Sequence, residues 1–357
     1  MVEPSTRALA ATAVLHVAPA HVDVRPGQGS HKDVGGRRAF FVQHCESYRY
    51  CSVGGDQPSE LDAHLAGWTP THILIEYSYF PKIAGALRKR FPDARIAMRA
   101  HNIEPLQNWA VSPPEQKSLF IPLAKTIYAT FRLLYADWLT CRRVDHVYVI
   151  APAEIPAYWR WLCGAKNVSW LPYMPPAPLQ RPRGHHARSV IACLPGGTET
   201  VRTKDLVNRF MDFAGAARRS GWNDPFVLTG NVDGWKVRTD AAVEIAGFVD
   251  DLPAFYEKVA AVAILSPVGY GFKTTIGDAL ACGAMALLHP KLHGELPPEM
   301  KPYAIAVQSL EPAELARVRS RLQGAPSALD AMDAVRTRFE AVMLDFLNPR
   351  PKGARTS

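Results

Sequence analysis

The chain is poor in cysteine and has no arrangement of cysteines that does chemistry. Six occur among 357 residues, at 45, 51, 141, 163, 193 and 282, with no C-x-x-C pair and no Cys/His cluster at zinc spacing. Neither a disulfide framework nor a metal site is therefore expected, and the thiols read as reduced and mostly buried. His185 and His186 stand together in "LQRPRGHHARS" without further ligands, which reads as linker. No apolar run approaches the roughly 20 residues of a membrane span. The opening "MVEPSTRALAATAVLHVAP" lacks the ordered basic, apolar and cleavage regions of a signal peptide, so a soluble, cytoplasmic protein is expected. There is no repeat of solenoid length. The net charge of +8 favours an anionic partner: a nucleotide, a nucleic acid or an acidic membrane surface. The sequence shows neither RNP-like aromatic patterns nor a helix-turn-helix, so nucleic acid is not expected among the partners.

What is present is globular and alternating. With 48% hydrophobic and 21% charged residues, the length predicts two domains. In the first part the runs "AVLHVAP" (13–19), "HILIEYSY" (72–79), "RIAMRA" (95–100), "HVYVIA" (146–151) and "VSWLP" (168–172) read as buried strands. Helical stretches such as "PKIAGALRKRF" and 117–143 separate them, which predicts a parallel sheet covered on both faces. The proline- and arginine-rich stretch 174–188 reads as a linker between a domain at 1–173 and a second at 189–328. There the strands "SVIACLP", "FVLTG", "VEIAG", "VAILSP", "MALLHP" and "YAIAV" alternate with helices, one of them expected to start at an N-cap on Thr203. An amphipathic helix at 329–347 and a solvated tail at 348–357 complete the chain. The architecture expected is α/β, two Rossmann-like doubly wound domains with ligands at the facing carboxyl ends of both sheets.

One stretch stands out chemically. In "GYGFKTTIGDALACG" (269–283) a strand delivers the chain to a turn with Gly269 and Gly271, and a helix follows. The first amides of a helix have no partner within it and sit at the positive end of its dipole, so they can donate to phosphate oxygens. Lys273 adds a full charge there, and Thr274 and Thr275 add hydroxyl donors. The turn is neither a P-loop nor a complete G-x-G-x-x-G, since Thr274 stands at the last glycine's place. Asp278, a turn further on, suits vicinal hydroxyls such as those of a ribose. Arg202 and Lys204 follow the first strand of the same domain, and the convergence of parallel strands brings them toward the same crevice. Three cations and several free amides would then meet a diphosphate.

The run "GFVDDLPAFYEKVAAVAILSPVGYGFKTTIGDALACGAMALLHP" resembles the donor-binding half of GT-B glycosyltransferases, especially the large retaining nucleotide-sugar group. "HILIEYSYF", "RIAMRAHNIEP" and "VDHVYVIAPAE" are similar to that family's N-terminal strands, and the amphipathic C-terminal helix corresponds to the one that crosses back to the first domain. The resemblance implies sugar transfer from a nucleotide-diphosphate donor, probed in the simplest case as hexosyl transfer, onto a glycan, lipid-linked or small-molecule acceptor, as in polysaccharide synthesis. It implies that Gly271, Phe272, Lys273 and Thr274 hold the donor phosphates with Asp278 on the ribose. Arg202 or Lys204 would neutralise the leaving diphosphate. His101 would lie against the donor sugar, with Asn102 and Glu104 nearby on the acceptor side. Gly27 and Gly29 in "RPGQGSHKD" would form the first glycine-rich loop. No metal would be required, because Lys273, Arg202 and helix dipoles supply positive charge and no D-x-D follows a strand.

Two departures accompany the resemblance. Where the family carries two glutamates separated by seven residues, this chain has Tyr270 and then Asp278, and "PGGTETVR" replaces the usual Gly-Arg pair. The alternative to an enzyme is therefore a GT-B protein that binds a sugar nucleotide or glycan without turnover. The segment 117–143, "KSLFIPLAKTIYATFRLLYADWLTCRR", mixes aromatic and cationic residues. Its apolar face is expected to belong to the core. The alternative is peripheral contact with an anionic membrane, at its inner face, presenting the cleft to a lipid-linked acceptor.

Overall fold

In the computed structural model the described residues are 12–24, 29–112, 120–175, 188–196, 199–230, 232, 234–235, 242–324 and 328–349. Gly27, most of the linker (176–187), His185, His186 and the tail from 350 lie outside them.

Two parallel sheets of six strands each form the frame. The first contains β1 (Ala13–Pro19), β2 (Ser47–Val53), β3 (His72–Glu76), β4 (Arg95–Ala100), β5 (His146–Val149) and β6 (Val168–Trp170), in the order β2-β1-β3-β4-β5-β6. The second contains β7 (Val190–Cys193), β8 (Phe226–Thr229), β9 (Val243–Gly247), β10 (Val259–Ile264), β11 (Met285–Leu288) and β12 (Ala304–Ala306), ordered β12-β11-β10-β7-β8-β9. Each is doubly wound. The chain leaves β1 toward one edge and returns beside it as β3; in the second sheet β7 and β10 are the neighbours where the order reverses. Such a reversal opens a crevice beyond the carboxyl ends of the two strands, where ligands bind in folds of this kind.

The central strands are covered on both faces, which is why they read as unbroken apolar runs: every residue of β3, β8 and β11 is buried. Two elements follow a different logic. β2, "SYRYCSV", is an edge strand whose first four residues are only half-buried, with Arg49 over the Trp68 ring. The helix Gly29–His44 contains three glycines, yet Asp33, Arg37, Phe40 and Phe41 recur at helical spacing on its buried face. Two of those four are charged, so hydropathy does not mark the stripe.

The helix Val201–Arg219 starts earlier than the sequence suggests. Its N-cap is Thr200, and Thr203 is the third helical residue of a capping box: Thr203 N donates to Thr200 Oγ1 at 3.1 Å and Thr200 N to Thr203 Oγ1 at 2.8 Å.

The helix Leu329–Leu347 joins the two halves. Ala331 is buried, Met332 and Val335 enter the C-terminal core, and Phe339, Met343, Phe346 and Leu347 enter an N-terminal cluster with Phe40 and Phe41. Arg95 pairs with Asp345 at 2.9 Å near its end. Because Phe346 is fully buried, we expect Phe346→Ala to remove about 3–5 kcal/mol of stability from the N-terminal domain. Urea denaturation followed by tryptophan fluorescence checks this; a midpoint equal to wild type would contradict it.

Candidate active site

The carboxyl ends of the two sheets face each other across a cleft, and the Gly269–Gly271 turn is one place where the two halves touch. After β10, Ser266 Oγ accepts from the Val268 amide at 3.1 Å, and Gly269 and Gly271 adopt φ of 98° and 75°, which other residues rarely reach. The absence of side chains also admits the N-terminal domain. A Cβ on Gly271 would collide with Asn102 Oδ1 and lie 2.8 Å from the His101 carbonyl oxygen. One on Gly269 would lie 3.2 Å from each of Arg202 Cδ, Lys273 Nζ and Gln107 Oε1. Gln107, on the helix Glu104–Val111, accepts from the Tyr270 amide at 2.8 Å. On the other side of the cleft, Gly29 at the start of its helix abuts the Thr274 side chain.

The helix Thr274–Ala281 begins here with Lys273 at its N-cap. Lys273 donates to the Tyr270 carbonyl at 2.8 Å and is half-buried. Burial, reinforced by the charges of Arg202 and Lys291, brings its amine down to about 7, against the opposing pull of Glu295 and Glu154. Burial likewise lowers the Arg202 guanidinium. Lys291 follows β11, with its ammonium 4.6 Å from the Tyr270 ring centroid and 3.3 Å from the Pro267 carbonyl. Arg202, Lys273 and Lys291 thus gather where β7, β10 and β11 end. Lys204 lies on the same helix as Arg202 but pairs with Glu199 at 2.5 Å and is about one-third exposed. Thr275 is half-buried beside Thr274, and Phe272 packs near the Tyr173 ring, centroids 6.2 Å apart.

Asp278 has both carboxylate oxygens engaged across the domain interface. Lys32 donates to one at 2.7 Å and the Tyr173 hydroxyl to the other at 2.7 Å, and the residue is 4% exposed. A ribose would have to reach a carboxylate that is almost wholly buried between these two donors. Neither Lys32 nor Tyr173 is legible as a partner in sequence, since both come from distant elements. Glu154 was equally unforeseen, although it follows β5 in "HVYVIAPAE". Burial pushes its carboxyl up to about 8, against the Trp159 indole N–H, the Gly271 amide and Lys273. Among the described residues its Oε1 has no hydrogen-bond partner.

His101, just after β4, crowns a buried network. Its Nε2 lies 2.8 Å from Glu76 Oε2 and its Nδ1 3.5 Å from Asp33 Oδ2. Arg37 contacts Glu76 at 2.7 Å and Asp33 at 2.9 Å, Arg99 contacts Asp33 at 3.1 Å, and His16 contacts Glu76 at 2.6 Å. Burial alone would raise both carboxyls, but Arg37 leads the opposing interactions and holds Glu76 well below the usual carboxylate range and Asp33 below it. His16 is pushed down by burial. The His101 ring stacks on Tyr77 at 4.1 Å, and Tyr77 on Tyr79 at 5.0 Å. Tyr77 has φ of 66°, the sole positive value of a non-glycine among the described residues. Asn102 donates to Glu104 at 3.2 Å beside this stack.

No family model and no curated protein matches the chain. Solved structures do. Sucrose-phosphate synthase from Thermosynechococcus elongatus aligns with a TM-score of 0.61 at 14% identity, over 93% of this chain and 97% of that one. A glycosyltransferase from Rickettsia africae aligns at 0.57 and 10% identity over 94% and 95%. Anabaena HepE, in complex with UDP, aligns at 0.56 and 12% over 94% and 97%. Together with the two facing doubly wound sheets and the crossing helix, these similarities define a GT-B fold. At such identities they establish the fold alone.

Gly271→Ala should force a left-handed alanine against Asn102 and His101, costing at least about 1–2 kcal/mol and parting the domains. A lower thermal midpoint together with a larger radius of gyration by X-ray scattering is the expected result; an unchanged radius would mean that the contact does not hold the cleft.

Proposed function

We propose that the protein is a glycosyltransferase that moves a sugar from a nucleotide-diphosphate donor to an acceptor. The observation that carries this reading is the convergence of Arg202, Lys273 and Lys291 on the Gly269–Gly271 turn, facing His101 and Asn102 across the cleft. Departure of a diphosphate develops negative charge on its bridging oxygen. Cations and free helix amides already in place stabilise that charge without reorganising. Lys273 and Arg202 would take the phosphates, with Gly271, Phe272, Thr274 and Thr275 lining their approach. HepE, a neighbour of the same fold, is described in complex with UDP and with UDP-glucose, which supports a uridine donor as the first to test.

The electrophilic sugar carbon would lie against the His101 side of the cleft. Both ring nitrogens of His101 face carboxylates. The imidazole is thereby oriented but engaged, so it is poorly placed to take a proton from an acceptor on the opposite face of the sugar. This favours a retaining course, in which acceptor and leaving group share one face and the departing phosphate takes the proton. Positive charge comes from side chains and a helix terminus, so no metal is invoked. Because the turn packs against Asn102, donor entry requires the domains to separate and then close again, excluding water around the cationic sugar. Asp278 would reach a ribose from between Lys32 and Tyr173. Tyr270, with its amide bound to Gln107 and its ring beneath Lys291, stands where the resembling family places a glutamate, and this supports donor binding without turnover as the second reading.

Nucleotide release over a panel of UDP, GDP, ADP, CMP and dTDP sugars tests the first reading. Donor-dependent release should survive EDTA and fall about 10²–10³-fold in Lys273→Ala, by analogy with loss of one transition-state donor. Full release by both Lys273→Ala and His101→Ala would refute this site. Tight donor binding with no release across acceptors would favour the second reading.

A further inference from the structure

The helix Phe120–Cys141 carries a surface that the cleft does not use. Its buried polar residues, Thr126, Asp137 and Thr140, lie on one side. On the other, Ile121, Tyr128, Phe131 and Tyr135 are 67%, 70%, 65% and 60% exposed, so the apolar face expected in the core is largely in solvent. At about 100° per residue these four fall within an arc of roughly 80°. Lys125, Arg132 and, just beyond the helix, Arg142 are exposed on the same side. Arg142 covers the Trp138 ring at 4.1 Å, and that ring stacks on Tyr135 at 5.9 Å.

Among the described residues of this helix, the charges on this face have one sign. The single acidic residue of the helix, Asp137, is fully buried and accepts from the Tyr158 hydroxyl. Rings that are apolar in body and polar at one edge, mixed with cations and no anions, suit the boundary between acyl chains and anionic headgroups. The same uniform sign disfavours pairing with a second copy, which would bring like charges together. The helix Glu104–Val111 packs against the other side of this helix, Asn108 donating to Thr130 at 3.2 Å, and itself exposes Leu106 and Trp109.

We propose that this face docks the protein onto an anionic lipid bilayer. The neighbouring helix Glu104–Val111 also bonds the cleft turn, Gln107 accepting from the Tyr270 amide, so the docking face is tied to the cleft through one short helix. A lipid-linked acceptor follows from this only if the transferase reading also holds. The docking itself is independent of that reading, and vesicle binding measures it without turnover.

The experiment is co-sedimentation of the full chain with phosphatidylcholine vesicles, and with the same vesicles containing about 30% phosphatidylglycerol, at moderate salt. The expected result is a partition coefficient at least about tenfold higher on anionic vesicles. The double variant Phe131→Ser/Tyr135→Ser should lower it about tenfold, and Lys125→Glu/Arg132→Glu should abolish the preference for anionic lipid. Unchanged circular dichroism and nucleotide binding would show that these exposed substitutions leave the fold intact. Equal binding to both vesicle types, or anionic binding that both double variants retain, would overturn the proposal. So would concentration-dependent dimerisation that Phe131→Ser/Tyr135→Ser removes, since the face would then belong to a second copy.

Discussion

Arg202, Lys273 and Lys291 repel one another, and the cleft is built around that repulsion. Strands β7, β10 and β11 are neighbours in a parallel sheet, so whatever follows them emerges at one edge, and here each is followed by a cation. The fold supplies partial relief through Glu295 and through the Tyr270 and Pro267 carbonyls. Burial and its cationic neighbours still bring the Lys273 amine to about 7. An anion with several oxygens relieves all three cations at once, and the unpaired amides of the following helix meet it from the same direction. On the proposed reading that anion is the donor's diphosphate.

The N-terminal domain contributes rigidity. Asp33 and Glu76 offset Arg37 and Arg99 in a cluster almost wholly out of water, with two histidines attached. Such buried networks are weak as net stabilisers, since desolvation consumes most of the Coulombic gain. Their effect is orientation: the His101 ring has carboxylates at two edges and Tyr77 on its face. Tyr77 holds a left-handed backbone to make that stack, and strain of this kind persists where surrounding structure over-determines it, commonly at functional sites.

Much of this was legible in sequence because parallel sheets write buried strands as unbroken apolar runs; β1 and β4 begin and end where the sequence places them, and so does the edge strand β9, although its middle is exposed. β2 was not, because its half-buried edge alternates tyrosine with polar residues. Nor was the helix Gly29–His44, whose glycines read as loop and whose buried stripe includes Asp33 and Arg37. At the cleft, Lys273 and Arg202 were visible from their places after strands, and Lys291 obeys the same rule after β11. Partners set by tertiary approach were not visible: Gln107 on the Tyr270 amide, or Lys32 and Tyr173 on Asp278. The exposure of Phe131 and Tyr135 was equally hidden, since helical periodicity shows that two faces differ but not which one the protein covers.

If the cluster around Lys273 takes up a diphosphate, proton linkage shows it directly. A lysine lowered to about 7 is mostly neutral above that pH. A bound diphosphate favours its charged form, so binding must take up a proton above about 7 and little below it. A nucleotide sugar is the suitable ligand, because its diphosphate has no proton to exchange near neutrality. Calorimetric titration in buffers of different ionisation enthalpy should show uptake of close to one proton at about pH 8 and almost none at about pH 6, with the uptake at higher pH lost in Lys273→Met. Binding that exchanges no proton at either pH, or uptake that Lys273→Met leaves intact, would contradict the account.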